Sequence, residues 1–499
     1  MLFSISPQNE LIPVLAARPD LHRITDLPLH PNIPLDTHFP YSKKLQTSLE
    51  GKKLLFEEIN VPLEEIQAHY LKGYCDYHPG IMKNNSKSIC LRCGNKRPDF
   101  FASFSCARCK RACTYCRNCI MMGRISECTP LVSWTGPPTV ITPCPLEWQG
   151  TLSPGQQYAS SKIVEAVEQN CEMLVWAVCG AGKTEILFKG IEKALELHKR
   201  VCIATPRTDV VLELAPRLQQ AFPAVNVIPL YGDSGNKLKY SPLFISTTHQ
   251  LFRFEQAFDV IILDEMDAFP YSADETLQHA VSKARKQNSA MVYLTATPSK
   301  SWQKKCQNNK IAYVKIPARY HRYPLPVPRF VWCGNWEKLL NRGKLPERLL
   351  VWLKERLSKD KQILLFLPKI AHLEKAKAIL KKLESSVETV HAADTNRVEK
   401  VQKMRNKQIK LLITTTILER GVTFPNIDVA VLGAENDVFT DSALIQIAGR
   451  AGRSDKNPYG DVAFFHHGKT WSIVEAGKQI ENSNKEAAQK GMLLPEAGE

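Results

Sequence analysis

The stretch Ala177-Val-Cys-Gly-Ala-Gly-Lys-Thr184 joins an apolar run that predicts a buried strand, 173–178, to a pattern that predicts an amphipathic helix, 184–198. A glycine-rich turn between a strand and a helix N-terminus collects backbone N–H groups around phosphate oxygens. The pattern usually begins with a glycine, where this chain has Ala177. The residues predicted to hold the phosphates are Gly180, Ala181, Gly182 and Lys183, and the predicted ligand of Mg²⁺ is Thr184. The stretch therefore predicts a phosphate loop.

A glutamine precedes this loop by about 25 residues, in Leu152-Ser-Pro-Gly-Gln156, just before a helical pattern. A glutamine amide carries both a donor and an acceptor, which together match the edge of adenine. Gln156 is therefore the predicted contact to the base.

Apolar strands alternate with helical patterns after the phosphate loop, and short polar motifs follow the strands. These motifs are Thr205-Pro-Arg207, Thr247-Thr-His-Gln250, Asp264-Glu-Met-Asp267 and Thr295-Ala-Thr297. Repeated apolar strands with helical connections predict a parallel sheet that is covered on both faces. In such a sheet, functional residues gather at the carboxyl ends of the strands.

The acidic pair Asp264-Glu265 supplies the second half of a nucleotide site. Phosphoryl transfer needs Mg²⁺ to neutralise phosphate oxygens and a group that positions the attacking water. Asp264 is the predicted magnesium ligand, and Glu265 is the predicted base that orients and deprotonates the water.

A second α/β set follows a basic and aromatic segment, 315–345, and carries two further motifs. The strand 411–413 runs into Thr414-Thr-Thr-Ile-Leu-Glu-Arg-Gly-Val-Thr423, in which Gly421 is predicted to contact the nucleotide. The stretch Gln446-Ile-Ala-Gly-Arg-Ala-Gly-Arg453 lies on or near a helix, where arginines three residues apart share one face. The predicted catalytic residues here are Gln446, Arg450 and Arg453, the two arginines as fingers that reach a γ-phosphate.

Eight of the fifteen cysteines crowd between Cys90 and Cys128. In a reducing compartment such crowding favours metal over disulfides. A turn with two residues between its cysteines, called a knuckle, lets both thiolates face one tetrahedral Zn²⁺. Two such knuckles complete a closed site. The preferred ligand set is Cys90, Cys93, Cys116 and Cys119. An alternative ligand set combines Cys90 and Cys93 with Cys106 and Cys109. A second metal site in this segment is a further alternative.

Basic and aromatic side chains share this cysteine-rich segment. Between Lys83 and Arg124 there are ten Lys and Arg residues and one acid, Asp99. The interleaved aromatic residues are Phe100, Phe101, Phe104 and Tyr115. Basic side chains meet phosphates while aromatic rings stack on bases, which suits single strands. The alternative is that the rings form the small core of a zinc ribbon.

The composition agrees with a polyanionic partner. The 499 residues carry 66 Lys and Arg against 50 Asp and Glu, a formal net charge of +16 and a pI near 9.1. Nucleic acid is the first expectation and an anionic membrane surface the second. The sequence has no apolar run long enough for a membrane span, and residues 11–17 are a poor signal peptide, so we expect a cytosolic protein.

The ordered motifs together resemble those of superfamily 2 helicases, whose two recombinase-like lobes close on ATP. In the order of the chain, the matches are Gln156 (Q motif), 180–184 (motif I), 205–207 (motif Ia), 264–267 (motif II), 295–297 (motif III), 414–423 (motif V) and 446–453 (motif VI). Seven motifs in the right order over about residues 150–470 make the resemblance specific.

Flanking residues more narrowly resemble the late-competence DNA-uptake ATPase family, ComFA. The stretches that carry this likeness are Trp176-Ala-Val-Cys-Gly-Ala-Gly-Lys-Thr-Glu185, Ile203-Ala-Thr-Pro-Arg-Thr-Asp-Val-Val-Leu-Glu213, Asp267-Ala-Phe-Pro-Tyr-Ser-Ala273, Phe330-Val-Trp-Cys-Gly-Asn-Trp336 and Cys116-Arg-Asn-Cys-Ile-Met-Met-Gly-Arg124. The resemblance implies two zinc-binding cysteine pairs, which map onto Cys90, Cys93, Cys116 and Cys119. It leaves Cys106, Cys109 and Cys113 as extra cysteines.

The resemblance implies a fold of class α/β, with two tandem recombinase-like P-loop lobes that have parallel sheets and with a small N-terminal Cys₄ zinc module. The expected organisation is an arm with a small packing element in 1–82, the zinc module in 83–128, a linker in 129–150, a first ATP-binding lobe in 151–315, a connector in 316–345 and a second lobe in 346–499.

The function that this resemblance implies is an ATP-driven single-stranded DNA translocase in natural transformation of Gram-positive bacteria, peripheral at the inner face of the cytoplasmic membrane. The implied cofactors are ATP, Mg²⁺ and Zn²⁺. The implied partners are single-stranded DNA, a DNA-uptake membrane channel and a phosphoribosyltransferase-like late-competence protein. The resemblance leaves the oligomeric state undecided. The alternatives are a replication-restart or repair DNA helicase and a nucleotide-switched DNA-binding scaffold.

Overall fold

The computed structural model describes residues 1–14, 20–28, 33–84, 87–232, 234–422, 424–455 and 457–494. The chain divides into two compact units that alternate along the sequence. One unit holds Met1–Gln149, Ile163–Met173 and Phe188–Tyr293, and the other holds Gly150–Lys162, Leu174–Leu187 and Leu294–Glu499. Thr423, the last residue of the motif V prediction, lies outside the described residues.

Short strands and helices make up the described residues before position 135. They are β1 (Leu2–Ile5), β2 (Leu11–Val14), α1 (Lys43–Leu49), β3 (Lys53–Leu55), α2 (Leu63–Tyr70), β4 (Cys75–Pro79), β5 (Ile81–Asn84), β6 (Lys87–Cys90), β7 (Phe101–Ser105), β8 (Ala112–Cys116), β9 (Ile125–Ser126) and β10 (Pro130–Trp134).

An antiparallel sheet in the order β3-β10-β4 carries the core of this N-terminal part. Val132 pairs with Leu54 on one side and Tyr77 on the other, and all three are buried with side chains from α1 and α2. The strand β10 lies within 129–150, where the sequence predicts a linker. Its two central apolar residues are too few to stand out beside the prolines that follow.

Hairpins carry the cysteine-rich segment. β5 pairs with β6, and β7, β8 and β9 form a second antiparallel sheet in that order. Cysteines lie at the strand ends and in the turns between the strands, so pairs that are distant in sequence can meet.

The first α/β set contains α3 (Pro154–Gln169), β11 (Glu172–Ala177), α4 (Phe188–Glu196), β12 (Val201–Thr205), α5 (Thr208–Ala221), β13 (Ile228–Leu230), β14 (Leu243–Thr247), β15 (Phe258–Leu263), α6 (Glu275–Ala284), β16 (Arg285–Thr295), α7 (Lys300–Gln307) and β17 (Ala312–Ile316). Its seven-stranded sheet has the order β13-β14-β12-β15-β16-β11-β17. The pairs β12–β14, β12–β15, β13–β14 and β15–β16 are parallel. Every residue of β12 and β14 is buried, as expected for parallel strands covered on both faces.

The second α/β set contains β18 (Arg329–Trp332), α8 (Trp336–Asn341), α9 (Glu347–Ser358), β19 (Gln362–Phe366), α10 (Ile370–Leu380), β20 (Glu388–Val390), α11 (Arg397–Arg405), β21 (Leu411–Thr414), β22 (Ile427–Leu432), α12 (Asp441–Ala448), β23 (Val462–His466) and α13 (Trp471–Gln489). Its sheet has the order β18-β23-β22-β19-β21-β20, and its pairs are parallel. The two predicted parallel α/β sets are therefore confirmed.

Among the helices of the described residues, none combines the length and the apolar character that crossing a membrane requires.

Candidate nucleotide site and cysteine clusters

The phosphate loop follows β11, in the unit that also holds the second α/β set. Gly180 and Gly182 have backbone φ angles of +82° and +71°, which side-chain-bearing residues rarely adopt. A Cβ atom on Gly182 would also collide with the amide nitrogen of Gln156. Lys183 and Thr184 follow in the turn that leads to α4, and their roles stay predictions.

Gln156 lies in the first turn of α3, and its amide supports the phosphate loop. Its Nε2 donates a 2.9 Å hydrogen bond to the carbonyl of Ala181, and its Oε1 accepts a 2.8 Å hydrogen bond from the backbone N–H of Ser153. A cavity of about 170 Å³ opens beside the start of α3, with Tyr158 and Met492 among its lining. The contact of Gln156 with a base stays a prediction.

Asp264 and Glu265 follow β15, in the other unit. The backbone N–H of Asp264 donates to the carbonyl of Ala204 at 2.8 Å, and the backbone N–H of Glu265 donates to Oδ1 of Asp264 at 2.9 Å. Glu265 has a φ of +55°, a conformation that side-chain-bearing residues adopt mainly in turns and functional sites. Its Oε2 is buried and, within the described part of the chain, accepts no hydrogen bond. That oxygen is suited to accept a proton from water.

Helix α12 brings motif VI to the phosphate loop. The Sγ of Cys179 donates to Oε1 of Gln446 at 2.9 Å, and both side chains are buried. Just after the helix, a Cβ on Gly449 would collide with the side chain of Cys179. Motif III also meets this helix, since the hydroxyls of Thr297 and Ser442 are 2.7 Å apart. Helix α12 and the residue after it therefore contact both the phosphate loop and motif III within this unit.

Arg450 and Arg453 have different surroundings. Arg450 is buried, and its guanidinium donates to the carbonyl of Glu419 at 2.8 Å and to the carbonyl of Val422. Gly421, with a φ of +73°, lies between these two carbonyls in the sequence. Arg453 is half-buried, and its Nε donates to a carbonyl four residues earlier at 2.9 Å. The structure shows Arg450 anchoring motif V, whereas the arginine-finger roles stay predictions.

Arg319 is the main residue that sequence reasoning missed. It is only 1% exposed, and its guanidinium donates to the carbonyl of Ala451 at 2.9 Å and to the carbonyl of Gly452. Its methylene carbons would lie 3.5 and 3.7 Å from a Cβ on Gly180. Arg319 therefore lies between motif VI and the phosphate loop and ties them together.

Burial, together with the positive charge of Arg453, lowers the pKa of the Arg319 guanidinium to about 10. A buried cation must be offset by hydrogen bonds, which here come from motif VI carbonyls. The sequence signal was an arginine three residues beyond β17, inside the predicted connector.

The four preferred zinc ligands meet in one cluster. The sulfurs of Cys90, Cys93, Cys116 and Cys119 lie within 4.8 Å of one another, and all four side chains are buried. The separations between sulfurs are 3.8 Å for the Cys90–Cys119 pair and 3.7 Å for the Cys93–Cys116 pair. Four sulfurs about 2.3 Å from a tetrahedral Zn²⁺ are about 3.8 Å apart, whereas a disulfide needs about 2.05 Å. The cluster therefore fits a tetrathiolate metal site.

Hydrogen-bond donors surround this cluster. Nη2 of Arg92 donates to Sγ of Cys119 at 3.2 Å, and the amides of Asn95 and Asn118 point at two further sulfurs. Hydrogen bonds from the neighbouring thiols, with help from the charge of Arg92, lower the pKa of the Cys119 thiol. Such donors offset the negative charge of a tetrathiolate. With four cysteine ligands the site leaves no open position, which is typical of structural zinc.

The alternative ligand set is not brought together. Cys106 and Cys109 lie in a separate cluster with Cys113 and Cys128. Because Cys128 lies nine residues after Cys119, outside any two-residue knuckle, spacing gave no reason to include it.

The first cluster contacts helix α6. Nζ of Lys283 donates to the carbonyl of Arg92 at 2.8 Å, and the amide of Asn118 donates to the hydroxyl of Thr276 at 3.2 Å. A Cβ on Gly94 would collide with the ring of His279. Burial lowers the pKa of Lys283 to about 8. The cysteine module is therefore fitted closely to the first α/β set within this unit.

The aromatic residues of the module are half-buried. The guanidinium of Arg97 lies 4.8 Å from the ring centre of Phe100, and that of Arg124 lies 4.4 Å from the ring centre of Phe104. Stacked arginines therefore occupy ring faces that a base would use. Both expectations for these rings, base stacking and a small core, stay open.

Three family models match the chain. Competence protein ComFA N-terminal domain matches residues 36–133, Type III restriction enzyme, res subunit, matches 149–300, and Helicase conserved C-terminal domain matches 344–455. Over 458 residues the chain is 50% identical to competence protein ComFA of Bacillus subtilis, covering 92% of this chain and 98% of that protein. The chain belongs to the ComFA family. The ComFA of Streptococcus pneumoniae is 37% identical over 448 residues, covering 89% of this chain and all of that protein.

The lobes also have the fold of known helicases. The structure of Mss116p (NTE and C-tail double deletion) bound to ssRNA and AMP-PNP is similar, with a TM-score of 0.53 and 18% identity, over 68% of this chain and 73% of that one. The predicted fold class is thus confirmed: two recombinase-like lobes and an N-terminal cysteine cluster able to bind metal. The helicase models identify an ATP-hydrolysing helicase, whose fold uses nucleotide and Mg²⁺. Family and fold together support a helicase role in competence.

Proposed function

We propose that this ComFA protein is an ATP-driven single-stranded DNA translocase that draws transforming DNA across the cytoplasmic membrane during natural competence. Membership of a family whose curated relatives are named competence proteins supports the biological role. The motor activity rests mainly on one observation, the direct contact of motif VI with the phosphate loop through Cys179 and Gln446. A contact of this kind lets the state of the nucleotide act on the second α/β set.

In this proposal the residues of motifs I and II have the roles that the sequence predicts. Lys183 binds the β- and γ-phosphates. Glu265 orients the attacking water through its buried carboxylate oxygen, which accepts no hydrogen bond among the described residues. Thr184 and Asp264 are the residues that would hold Mg²⁺, which neutralises phosphate oxygens when it is bound.

The second lobe responds to the γ-phosphate through its arginines. Arg450 is held by two carbonyls of motif V, so a change at Arg450 reaches that loop directly. Motif V follows strand β21, at the sheet edge where ligands of α/β folds bind. Hydrolysis would thereby shift the loop that grips the DNA backbone.

We further propose that the protein acts at the inner face of the membrane, with a DNA-uptake channel and a phosphoribosyltransferase-like late-competence protein as partners. The net charge of +16 favours both single-stranded DNA and an anionic membrane surface. The closed Cys₄ cluster would hold a structural Zn²⁺.

The proposal predicts that the protein moves along single-stranded DNA without separating the strands of a duplex. The purified protein is given single-stranded DNA with streptavidin bound at one end, and separately a forked duplex of the same sequence. We expect ATP-dependent release of streptavidin and little strand separation, with Lys183→Ala inactive in both assays. Efficient strand separation with no streptavidin release would favour a repair-type helicase. ATP-dependent DNA binding without release or strand separation would favour a nucleotide-switched scaffold.

A further inference from the structure

A second cysteine cluster lies beside the first and takes no part in the nucleotide chemistry. Its members, Cys106, Cys109, Cys113 and Cys128, are at most 7% exposed, and their sulfurs lie within 4.8 Å of one another. The sulfurs of Cys113 and Cys128 are 3.7 Å apart. That distance is too long for a disulfide, and it matches the separation of about 3.8 Å in a tetrahedral zinc tetrathiolate.

The turn that carries Cys106 and Cys109 repeats the backbone geometry of the first cluster's knuckle. The backbone N–H of Cys106 donates to the carbonyl of Arg111 at 3.1 Å, and the N–H of Lys110 donates back to the carbonyl of Cys106 at 2.9 Å. Lys110 has a φ of +53°.

In the first cluster the same two hydrogen bonds link Cys90 to Asn95 at 3.0 Å and Gly94 to Cys90 at 2.8 Å, and Gly94 has a φ of +72°. Two Cys-x-x-Cys turns with one backbone pattern therefore present their thiols in the same way. The left-handed residue is glycine in one turn and a lysine in the other. A lysine in that conformation carries a steric cost, so the surrounding structure must hold the turn in place.

We propose that Cys106, Cys109, Cys113 and Cys128 bind a second Zn²⁺ ion, in a closed structural site. The donor set consists of thiolates alone, which favours zinc over hard cations. Both turn cysteines, a strand cysteine and a cysteine just after β9 converge on it, and no ligand position remains for water or substrate.

The two sites are interleaved along the chain. The first site takes two ligands from before the first three ligands of the second site and two from after them. Cys128, the fourth ligand of the second site, follows all of these. Strand β8 supplies Cys113 to the second site and Cys116 to the first, and residues three apart on a strand point to opposite faces. Loss of either metal should therefore loosen the strand that the other metal needs.

The second site also fastens the N-terminal hairpin to the module. Leu2 and Leu21 pack into the same buried cluster as the four cysteines. Arg23 donates to the carbonyl of Ala112 at 3.2 Å and to the carboxylate of Glu127 at 2.9 Å, immediately beside two of the ligands. Ordering of the second site should thus order β1 and β2.

The metal count of the full-length protein tests the proposal. By elemental analysis of protein purified without added metal, we expect two zinc ions per chain. X-ray absorption should show four sulfur ligands per zinc at about 2.3 Å. One zinc ion per chain would overturn the second site, and this measurement on the unmodified chain does not depend on how any variant folds.

Variants then locate the second ion. Cys106→Ser with Cys109→Ser should leave one zinc ion, whereas the matched pair Cys75→Ser and Cys144→Ser, buried cysteines outside both clusters, should retain two. Two zinc ions in the Cys106/Cys109 variant would refute the ligand assignment. In the same variant, amide hydrogens of β1 and β2 should exchange at least about ten times faster. Unchanged exchange there would refute the fastening of the hairpin.

Discussion

Replacing Arg319 by methionine should slow ATP hydrolysis while leaving global stability nearly unchanged. The change removes the guanidinium donor from two buried carbonyls: that of Gly452 keeps a 3.2 Å contact with Nε2 of His321, whereas that of Ala451 loses its donor. An unsatisfied buried acceptor costs about 1–3 kcal/mol, which is the cost expected at Ala451. Methionine also removes a buried charge, and the lowering of the arginine pKa from 12.5 to about 10 corresponds to about 3 kcal/mol. The two effects largely cancel in the free energy of unfolding.

Turnover should still fall, because the substitution disturbs the position of motif VI. Without the guanidinium, motif VI loses its fixed position, and restoring that position for each turnover costs about 2 kcal/mol, which corresponds to about a 30-fold lower kcat. Steady-state ATP hydrolysis and the thermal unfolding midpoint would be measured together. The control is Arg329→Met, which removes an exposed arginine that pairs with Asp461 at 2.7 Å. Turnover of the Arg319 variant within about two-fold of the control would refute the reasoning, as would a loss explained by unfolding.

Three further predictions concern other parts of the molecule. Glu265→Gln should bind ATP normally but lower kcat by about 10²–10⁴, because a neutral amide cannot take the proton from water; undiminished turnover would rule out this base. Gly94→Ala should speed hydrogen exchange in α6, because the methyl group would meet the ring of His279 in a left-handed turn, whereas Gly343→Ala, also left-handed but with open space around it, should leave α6 unchanged. Burial, with the nearby charge of Lys53, lowers the pKa of His78 from 6.5 to about 4. As the pH falls, the unfolded chain therefore takes up the proton before the folded chain does. Between pH 6.5 and 4 the free energy of unfolding of wild type should fall by up to about 3 kcal/mol relative to that of His78→Gln, measured by denaturant unfolding. Equal pH profiles for the two proteins would contradict this.

The parts of the site that depend on local sequence were predictable. The phosphate loop needs glycines at left-handed positions, and Gly180 and Gly182 stand there. The strands of both sheets are apolar runs because both faces are covered, and the acidic pair directly follows one of them. These signals require no knowledge of distant residues. Two-residue gaps also mark the Cys90/Cys93 and Cys116/Cys119 knuckles, but Cys106/Cys109 has the same gap, so spacing alone left the ligand set open.

The parts that depend on distant contacts were not predictable from local pattern. Arg319 is one arginine among many until the structure shows it buried under Ala451 and Gly452. Cys128 joins its cluster through the pairing of β8 with β9 and not through spacing. Long-range packing also decides the contact of the cysteine module with α6, since Lys283 and Arg92 are 191 residues apart in sequence.

The central claim, an ATP-driven motor on single strands, is tested most directly by steady-state ATP hydrolysis at moderate salt with no DNA, with single-stranded DNA and with blunt duplex. We expect strong stimulation by single strands and little by duplex. Equal stimulation by duplex, or no hydrolysis under any of the three conditions, would contradict it.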